Sequence, residues 1–506
     1  MFKRVGEHAV RCTCRRSAIR RQVAVRKFSV YNSPNAPATS TASPLGGLTT
    51  ELDRIAPRFE VPSSKITILD SPSSFYETLK HKIRNARRRI YLSTLYIGKT
   101  EHELVDTVNQ ALRDNPNLHV SILTDCLRGT RETPNPSSAS LLARLVEEHG
   151  SDRVEIRMFH TPNLTGLRKK ANLSEDYFTN RVDRYHVFNS KELTDYYGKI
   201  HDAICHLSFQ VLPNAENIAG YELVWPSSNS AHSPLDDPEG FISQSSSALH
   251  SLIQPRSQEK AALVPTSEKT LVYPVAQLTP LLKPDTSTEF PAVTSILRLL
   301  TSSPMFRNSH WLFTAGYFNI HPTLSSLLIE STSYIPTTEQ PATKTQGTVL
   351  TASPWANGFY GSPGISGMLP AAYTHLSARF LDRVAEAQRT NSIQLREWRR
   401  GTVGEPGGWT YHAKGLWITL PNDKYPSLTF VGSSNYTKRS YGLDLEVGAL
   451  VVTSDDKLKQ RLHEETEWLQ ENSKPVSRED LRRTERRVGW NVRLAMWIVE
   501  KVGGAL

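Results

Sequence analysis

The sequence predicts an α/β fold made of two related halves, each a mixed, mostly parallel sheet flanked by helices. Three observations carry this. Strand-length apolar runs alternate with amphipathic helical stretches from Lys65 onward. The alternation restarts after a long polar segment. The second series matches the first in pattern and in spacing.

In the first series, residues 66–69 read as a strand and 73–88 as a helix, with Phe75, Leu79 and Ile83 at 3–4 spacing. Strands at 90–97, 119–124 and 154–159 alternate with helices at 101–113 and 137–149, and a helical stretch fills 191–211. Residues 227–260 are rich in Ser and Pro and read as a polar linker, in part disordered. The second series has helices at 292–300 and 371–387, and strands at 311–318, 348–351, 393–398, 428–432 and 446–452. Residues 331–346, with Pro and Thr throughout, interrupt it as an insertion. The halves therefore span 65–215 and 261–470.

The ends differ from the body. Residues 1–30 hold nine Lys or Arg and one acid, Glu7, interleaved with apolar residues: the pattern of a mitochondrial presequence. The alternative is a basic arm that binds nucleic acid or membrane. Without this segment the net charge of +10 falls to +2, so the high pI does not point to nucleic acid. Residues 31–64, rich in Ser, Pro, Thr and Ala, read as a disordered linker. The tail, 478–506, reads as a basic amphipathic helix carrying Trp490 and Trp497, which either rests on an anionic membrane or packs on the core. No apolar run is long enough for a membrane-spanning helix. Cys12, Cys14, Cys126 and Cys205 form no disulfide or zinc pattern and fit a reducing compartment.

Chemistry concentrates in Tyr411-His412-Ala413-Lys414-Gly415-Leu416-Trp417 and in Gly432-Ser433-Ser434-Asn435. Strand alternation puts His412 and Lys414 on one face. An imidazole beside a fixed ammonium suits attack on a phosphoryl group, with the ammonium neutralising non-bridging oxygens. The small-residue turn offers hydroxyl and amide donors for a second wall of a phosphate pocket. Alone, His-x-Lys is a very weak signal, and a solvated strand edge is the commoner source of such a motif. The duplication strengthens it. Residues 88–97 resemble 310–319, residues 120–125 resemble 349–354, and Ala171-Asn172 resembles Ser434-Asn435. An acid lies eleven residues beyond each Asn: Asp183 in the first copy and Glu446 in the second.

Taken together, His412-x-Lys414, Gly432-Ser433-Ser434-Asn435 and Glu446 in a duplicated α/β chain resemble the phospholipase D superfamily. Asp125-Cys126-Leu127-Arg128-Gly129-Thr130-Arg131, Ala171-Asn172-Leu173-Ser174 and Ala356-Asn357-Gly358-Phe359-Tyr360-Gly361 resemble, more closely, its mitochondrial phosphatidylglycerophosphate synthase family, over about residues 60–470. The resemblance implies a duplicated phospholipase D-like fold. It implies transfer of a phosphatidyl group from CDP-diacylglycerol to glycerol 3-phosphate with release of CMP. The place would be the matrix face of the inner mitochondrial membrane, held peripherally, with no metal, no cofactor and no nucleic acid. One His attacks the lipid-side phosphorus; the other protonates the leaving group and then activates the acceptor hydroxyl. On this sequence it implies His412, Lys414, Asn435 and Glu446 as catalytic residues. Arg128, Arg131, Asn172, Asp183, Asn357, Ser433 and Ser434 would bind substrate, and an acid such as Glu446 or Asp183 would fix a His tautomer.

One departure stands out. The family carries a His-x-Lys element in each half, and the first half here has none. Eleven residues separate Phe159 from Ala171, against thirty-five between Trp398 and Ser434. Roughly twenty-four residues, a strand pair with the first His and Lys, are therefore missing from the first copy. His160 and Lys169 do not have the required spacing. The chain is either an inactive variant or the product of a misread or alternatively spliced gene, and no turnover is expected of it as written. Two other readings are a non-catalytic lipid-headgroup-binding relative and a phosphodiesterase acting on nucleic acid. Arg181 and Arg184 either face the pocket or pair with Asp183. Gly98-Lys99-Thr100 lacks the earlier Gly of a nucleotide-binding loop, and His201 and His206 read as structural.

Overall fold

A computed structural model describes residues 43–98, 101–131, 137–160, 175–255, 264–335 and 345–501. The expected presequence, Asn172, the Lys170–Ala171 junction and most of the 331–346 insertion lie outside these residues. The chain runs through α1 (Pro44–Asp53), β1 (Phe59–Pro62), β2 (Ile66–Leu69), α2 (Pro72–Arg84), β3 (Arg89–Ser93), α3 (His102–Asp114), β4 (His119–Asp125), α4 (Cys126–Gly129), α5 (Ser138–His149) and β5 (Val154–Phe159). Then come α6 (Glu175–Thr179), β6 (Arg181–Val182), β7 (Tyr185–Phe188), α7 (Lys191–Cys205), β8 (Phe209–Pro213), β9 (Tyr221–Val224) and α8 (Pro238–Ile253). The second half holds β10 (Lys269–Gln277), α9 (Glu289–Ser302), β11 (His310–Ala315), α10 (Pro322–Glu330), β12 (Gly347–Ala352), α11 (Leu369–Glu386) and β13 (Ile393–Trp398). It continues with β14 (Thr410–Tyr411), β15 (Lys414–Thr419), β16 (Leu428–Val431), α12 (Ser440–Leu443), β17 (Glu446–Val452), α13 (Asp456–Gln470), β18 (Ser473–Pro475) and α14 (Trp490–Lys501).

Nine strands form one sheet in the order β1-β10-β17-β16-β15-β11-β12-β13-β18, and five form another, β3-β4-β5-β8-β9. Each contains a parallel triplet joined by crossover helices: β3-β4-β5 and β11-β12-β13. These triplets are the duplicated cores. The other ladders in these two sheets are antiparallel, a larger share than the alternating rhythm implies, because β15, β16 and β17 are successive neighbours that reverse direction each time. The halves differ at one point. In the second, β16 and β15 bridge β17 to β11. In the first, the matching β7 pairs only with β2 in a separate two-stranded sheet, and β3 pairs only with β4, among the described residues.

Two expected linkers are structured. Within 31–64, Ser43 caps α1, whose Leu48 and Leu52 are fully buried in the core of the larger sheet, and β1 extends that sheet beside β10. Two leucines four apart on one helix face outweigh a Ser/Thr/Pro-rich composition once a sheet is there to cover them. Within 227–260, Asp237 caps α8, which buries Phe241, Leu249 and Ile253. Its apolar stripe is sparse and Ser fills the other faces, so composition hid it. The stretch 191–211 is not one helix: α7 ends at Cys205 and Phe209 begins β8. At the other end, α14 buries Val492 and Met496 against α11 while Trp490, Leu494, Trp497 and Ile498 face solvent. The terminal helix thus packs on the core and still displays a second apolar stripe.

Candidate active site

Strand β14 leads into His412 and pairs in parallel not with its own sheet but with β6 of the first half. Thr410 donates its N–H to the Asn180 carbonyl at 3.0 Å, and His412 donates to the Val182 carbonyl at 2.8 Å. This short ladder sets the first half's Asp183 beside the second half's His412. Asp183 Oδ2 lies 2.8 Å from His412 Nδ1, and Lys414 Nζ lies 2.9 Å from His412 Nε2 and 3.9 Å from Asp183 Oδ2. Tyr177 and Tyr317 meet the imidazole edge-on, with ring centres 5.5 and 5.3 Å away. Arg181 donates to the Tyr177 hydroxyl at 3.0 Å, and its guanidinium lies 4.2 Å over that ring.

Burial, and then the Lys414 ammonium, push the His412 imidazole down to about 3. Asp183 opposes this without reversing it. Burial would raise the Asp183 carboxyl, but Lys414 and then His412 outweigh it and hold the acid below its ordinary value. At neutral pH the site therefore contains a carboxylate, a neutral imidazole and an ammonium. With Nδ1–H donating to Asp183, Nε2 carries the ring's lone pair and faces the Lys414 ammonium.

Two glycines admit this arrangement. A Cβ on Gly316 would stand 2.5 Å from the Tyr411 carbonyl oxygen and 2.9 Å from the His412 Cα, so the motif backbone lies directly on it. Gly316→Ala is expected to destabilise the fold by about 2 kcal/mol through overpacking against backbone that cannot yield, read as a lower urea midpoint at unchanged slope. A Cβ on Gly415 would meet the Arg184 guanidinium. Arg184 does not pair with Asp183's carboxylate. It turns into the second half and donates from Nε and Nη2 to the two Glu465 oxygens at 2.9 Å each. It also reaches the carbonyls of Phe430 and Lys414, and stacks 3.8 Å from the Trp417 ring. Glu465 accepts in addition from Trp417 Nε1 at 3.0 Å and lies 2.8 Å from His186 Nε2.

The other candidates fall around this centre. Lys414 opens β15, Val431 closes β16 and Glu446 opens β17, so Ser433, Ser434, Asn435 and Glu446 share one end of the sheet with the motif. Glu446 is buried and accepts from the Ser433 hydroxyl. Ser434 Oγ accepts the Tyr436 N–H and shapes the turn, and Asn435 Oδ1 is buried with no hydrogen-bond partner. Asn357 Oδ1 accepts the Phe359 N–H at 3.0 Å, bracing a loop whose Gly358 faces Tyr317 and Arg181. Arg128 is buried on α4, and Arg131 is exposed beyond it. Neither motif nor spacing assigns a role to Tyr177, Tyr317 or Glu465. Glu465 had a signal: it is an acid on the same helix face as Leu458, Leu462 and Leu469.

A buried His–Lys pair, held by a carboxylate from the other half, sits at the junction of the two halves of a phospholipase D-like α/β fold. The fold is that of a phosphatidylserine synthase from Haemophilus influenzae, at a TM-score of 0.66 and 19% identity, covering 90% of this chain and 97% of that one. No family model matches the sequence. Three curated relatives bear the name CDP-diacylglycerol–glycerol-3-phosphate 3-phosphatidyltransferase. That of Saccharomyces cerevisiae is 40% identical over 88% of this chain and 89% of its own length. That of Schizosaccharomyces pombe is 35% identical over 85% and 93%, and the human mitochondrial protein is 32% identical over 84% and 80%. The chain belongs to the CDP-diacylglycerol–glycerol-3-phosphate 3-phosphatidyltransferase family.

Proposed function

We propose that this chain is built to transfer a phosphatidyl group from CDP-diacylglycerol to glycerol 3-phosphate in the mitochondrion, and that as written it completes only the first half of the reaction. The carrying observation is the neutral His412 between Asp183 and Lys414. A group held near 3 is a poor proton donor at neutral pH and a ready nucleophile. His412 Nε2 forms a bond to the lipid-side phosphorus while the bond to the CMP oxygen breaks, and CMP leaves with that electron pair. Lys414 neutralises the non-bridging oxygens. In the second step the acceptor hydroxyl attacks phosphorus, the P–N bond breaks and the electrons return to Nε2. The hydroxyl proton goes to the His of the other half, and this chain has no His-x-Lys there.

The sheet topology supports that account. Among the described residues, no strand joins the matched β7 to β3 at the place where β16 and β15 join their counterparts in the second half. The expected result with a short-chain CDP-diacylglycerol is about one CMP released per chain, followed by arrest, with the phosphatidyl mass on His412 and no burst from His412→Asn. An unchanged burst in His412→Asn, or no burst in the parent chain, overturns the nucleophile assignment. A burst also separates this reading from a relative that only binds lipid headgroups.

Peripheral attachment to the inner membrane, on its matrix face, belongs to the same proposal. Exposed Trp490, Leu494, Trp497 and Ile498 on α14 lie near exposed Arg482, Arg483, Arg487 and Arg493, a combination suited to an anionic bilayer surface. Replacing both Trp by Ser is expected to weaken sedimentation with cardiolipin-containing vesicles by about tenfold and to leave binding to soluble nucleotide unchanged.

A further inference from the structure

The turn that follows Asn435 carries a further cation, Arg439. Arg439 sits at the start of α12, beyond the carboxyl end of β16, and Arg128 sits on α4, beyond the carboxyl end of β4. Arg128 is 7% exposed, and its Nη2 is buried with no hydrogen-bond partner. Arg439 Nη2 is likewise buried without one, and its charge partner, Asp444, stands 3.7 Å away, beyond hydrogen-bond reach. Burial, then Arg131 and, more weakly, Arg439 hold Arg128 down to about 10, with Asp125 and Tyr96 opposing. Arg439 also acts on Tyr373, which stacks 5.6 Å from Tyr317, the ring that meets His412.

A desolvated guanidinium crowded by like charge and left with unused donors is stable beside an anion. We infer that Arg439 and Arg128, one from each half, form the seat for the phosphate monoester of the acceptor, one aromatic pair away from His412. The inference rests on the proposed phosphatidyl transfer and deepens it. Arg181, beside His412 and Gly358, is placed for the donor's diphosphate. The Tyr317–Tyr373 pair separates Arg439 from the reacting phosphorus, as the glycerol carbons separate the acceptor's phosphate from its reacting hydroxyl. The forked, always-charged guanidinium suits a dianionic monoester better than a single ammonium does.

The test is calorimetric titration of the full-length chain with glycerol 3-phosphate, glycerol and CMP, repeated on Arg439→Gln, Arg439→Lys and Arg128→Met. The expected result is that glycerol 3-phosphate binds and glycerol does not. Each variant should lose tenfold or more in affinity for the phosphate ester with CMP binding unchanged, and Arg439→Lys should recover only part. A thermal melt of each variant within a few degrees of the parent shows that folding is intact. If Arg128→Met fails that check, the two Arg439 variants decide. Equal affinity in parent and variants overturns the site and leaves phosphatidyl transfer standing. Loss of CMP binding in place of glycerol 3-phosphate binding overturns the assignment to the acceptor. Absence of glycerol 3-phosphate binding in the parent also overturns the site, and the CMP burst then decides the transfer reading separately.

Discussion

Restoring a strand pair of about twenty-four residues with a His-x-Lys element between Lys170 and Ala171 raises phosphatidylglycerophosphate formation by at least about a hundredfold, the usual share of a general acid–base group. The reason is the division of labour in the site. His412 has its carboxylate, Asp183, and its ammonium, Lys414, so the nucleophile of the CMP-releasing step is in place, and a weakly basic phosphate leaving group departs without the proton the second His would give it. Glu446 is the second half's counterpart of Asp183: it is buried at the head of β17, and on the proposed reading it would serve the His of the inserted segment. Turnover is read as labelled glycerol 3-phosphate entering lipid. Equal rates with and without the inserted segment would sink both the missing-base argument and the arrest after one CMP.

The second large effect is on stability. Arg184→Met should cost about 3–5 kcal/mol, because it strands a buried Glu465 carboxylate together with the Phe430 and Lys414 carbonyls. Urea unfolding measures it, and a loss under about 1 kcal/mol would contradict the account. The same cluster sets the acid limit. Burial would raise the Glu465 carboxyl, yet Arg184 and His186 outweigh it and hold the group far below the ordinary range. A carboxyl depressed on folding contributes stability that is complete above its unfolded value of about 4.3 and is lost as pH falls below it. His412 adds in the same direction. Its unfolded imidazole takes up a proton below about 6.5 while the folded one does not until about 3. Stability should therefore decline in two stages on acidification, the first absent in His412→Asn and the second blunted in Glu465→Gln.

Much of the fold was readable from periodicity. The strands Val154–Phe159, Ile393–Trp398 and Glu446–Val452 lie where alternation and apolar runs put them. The segments that composition misjudged were α1 and α8, where a few apolar residues at helical spacing sit among Ser, Thr and Pro and find cover only in the tertiary fold. At the site, the motif spacing pointed to His412, Lys414 and the acid eleven residues past each Asn. Which acid serves which His was not readable from spacing, because it depends on β14 crossing to pair with β6. The same crossing conceals Arg184 and Glu465, which are 281 residues apart and carry no shared motif. Gly316 and Gly415 look like ordinary strand glycines until the backbone of Tyr411 and the guanidinium of Arg184 are seen against them.

The unbridged β3 has a meaning apart from catalysis. Among the described residues β3 is an edge strand of its sheet, and an edge strand is a template on which a further strand can pair. In the second half the same rim is sealed by the strand pair that carries the histidine. Chemistry and closure are supplied by one insert of sequence.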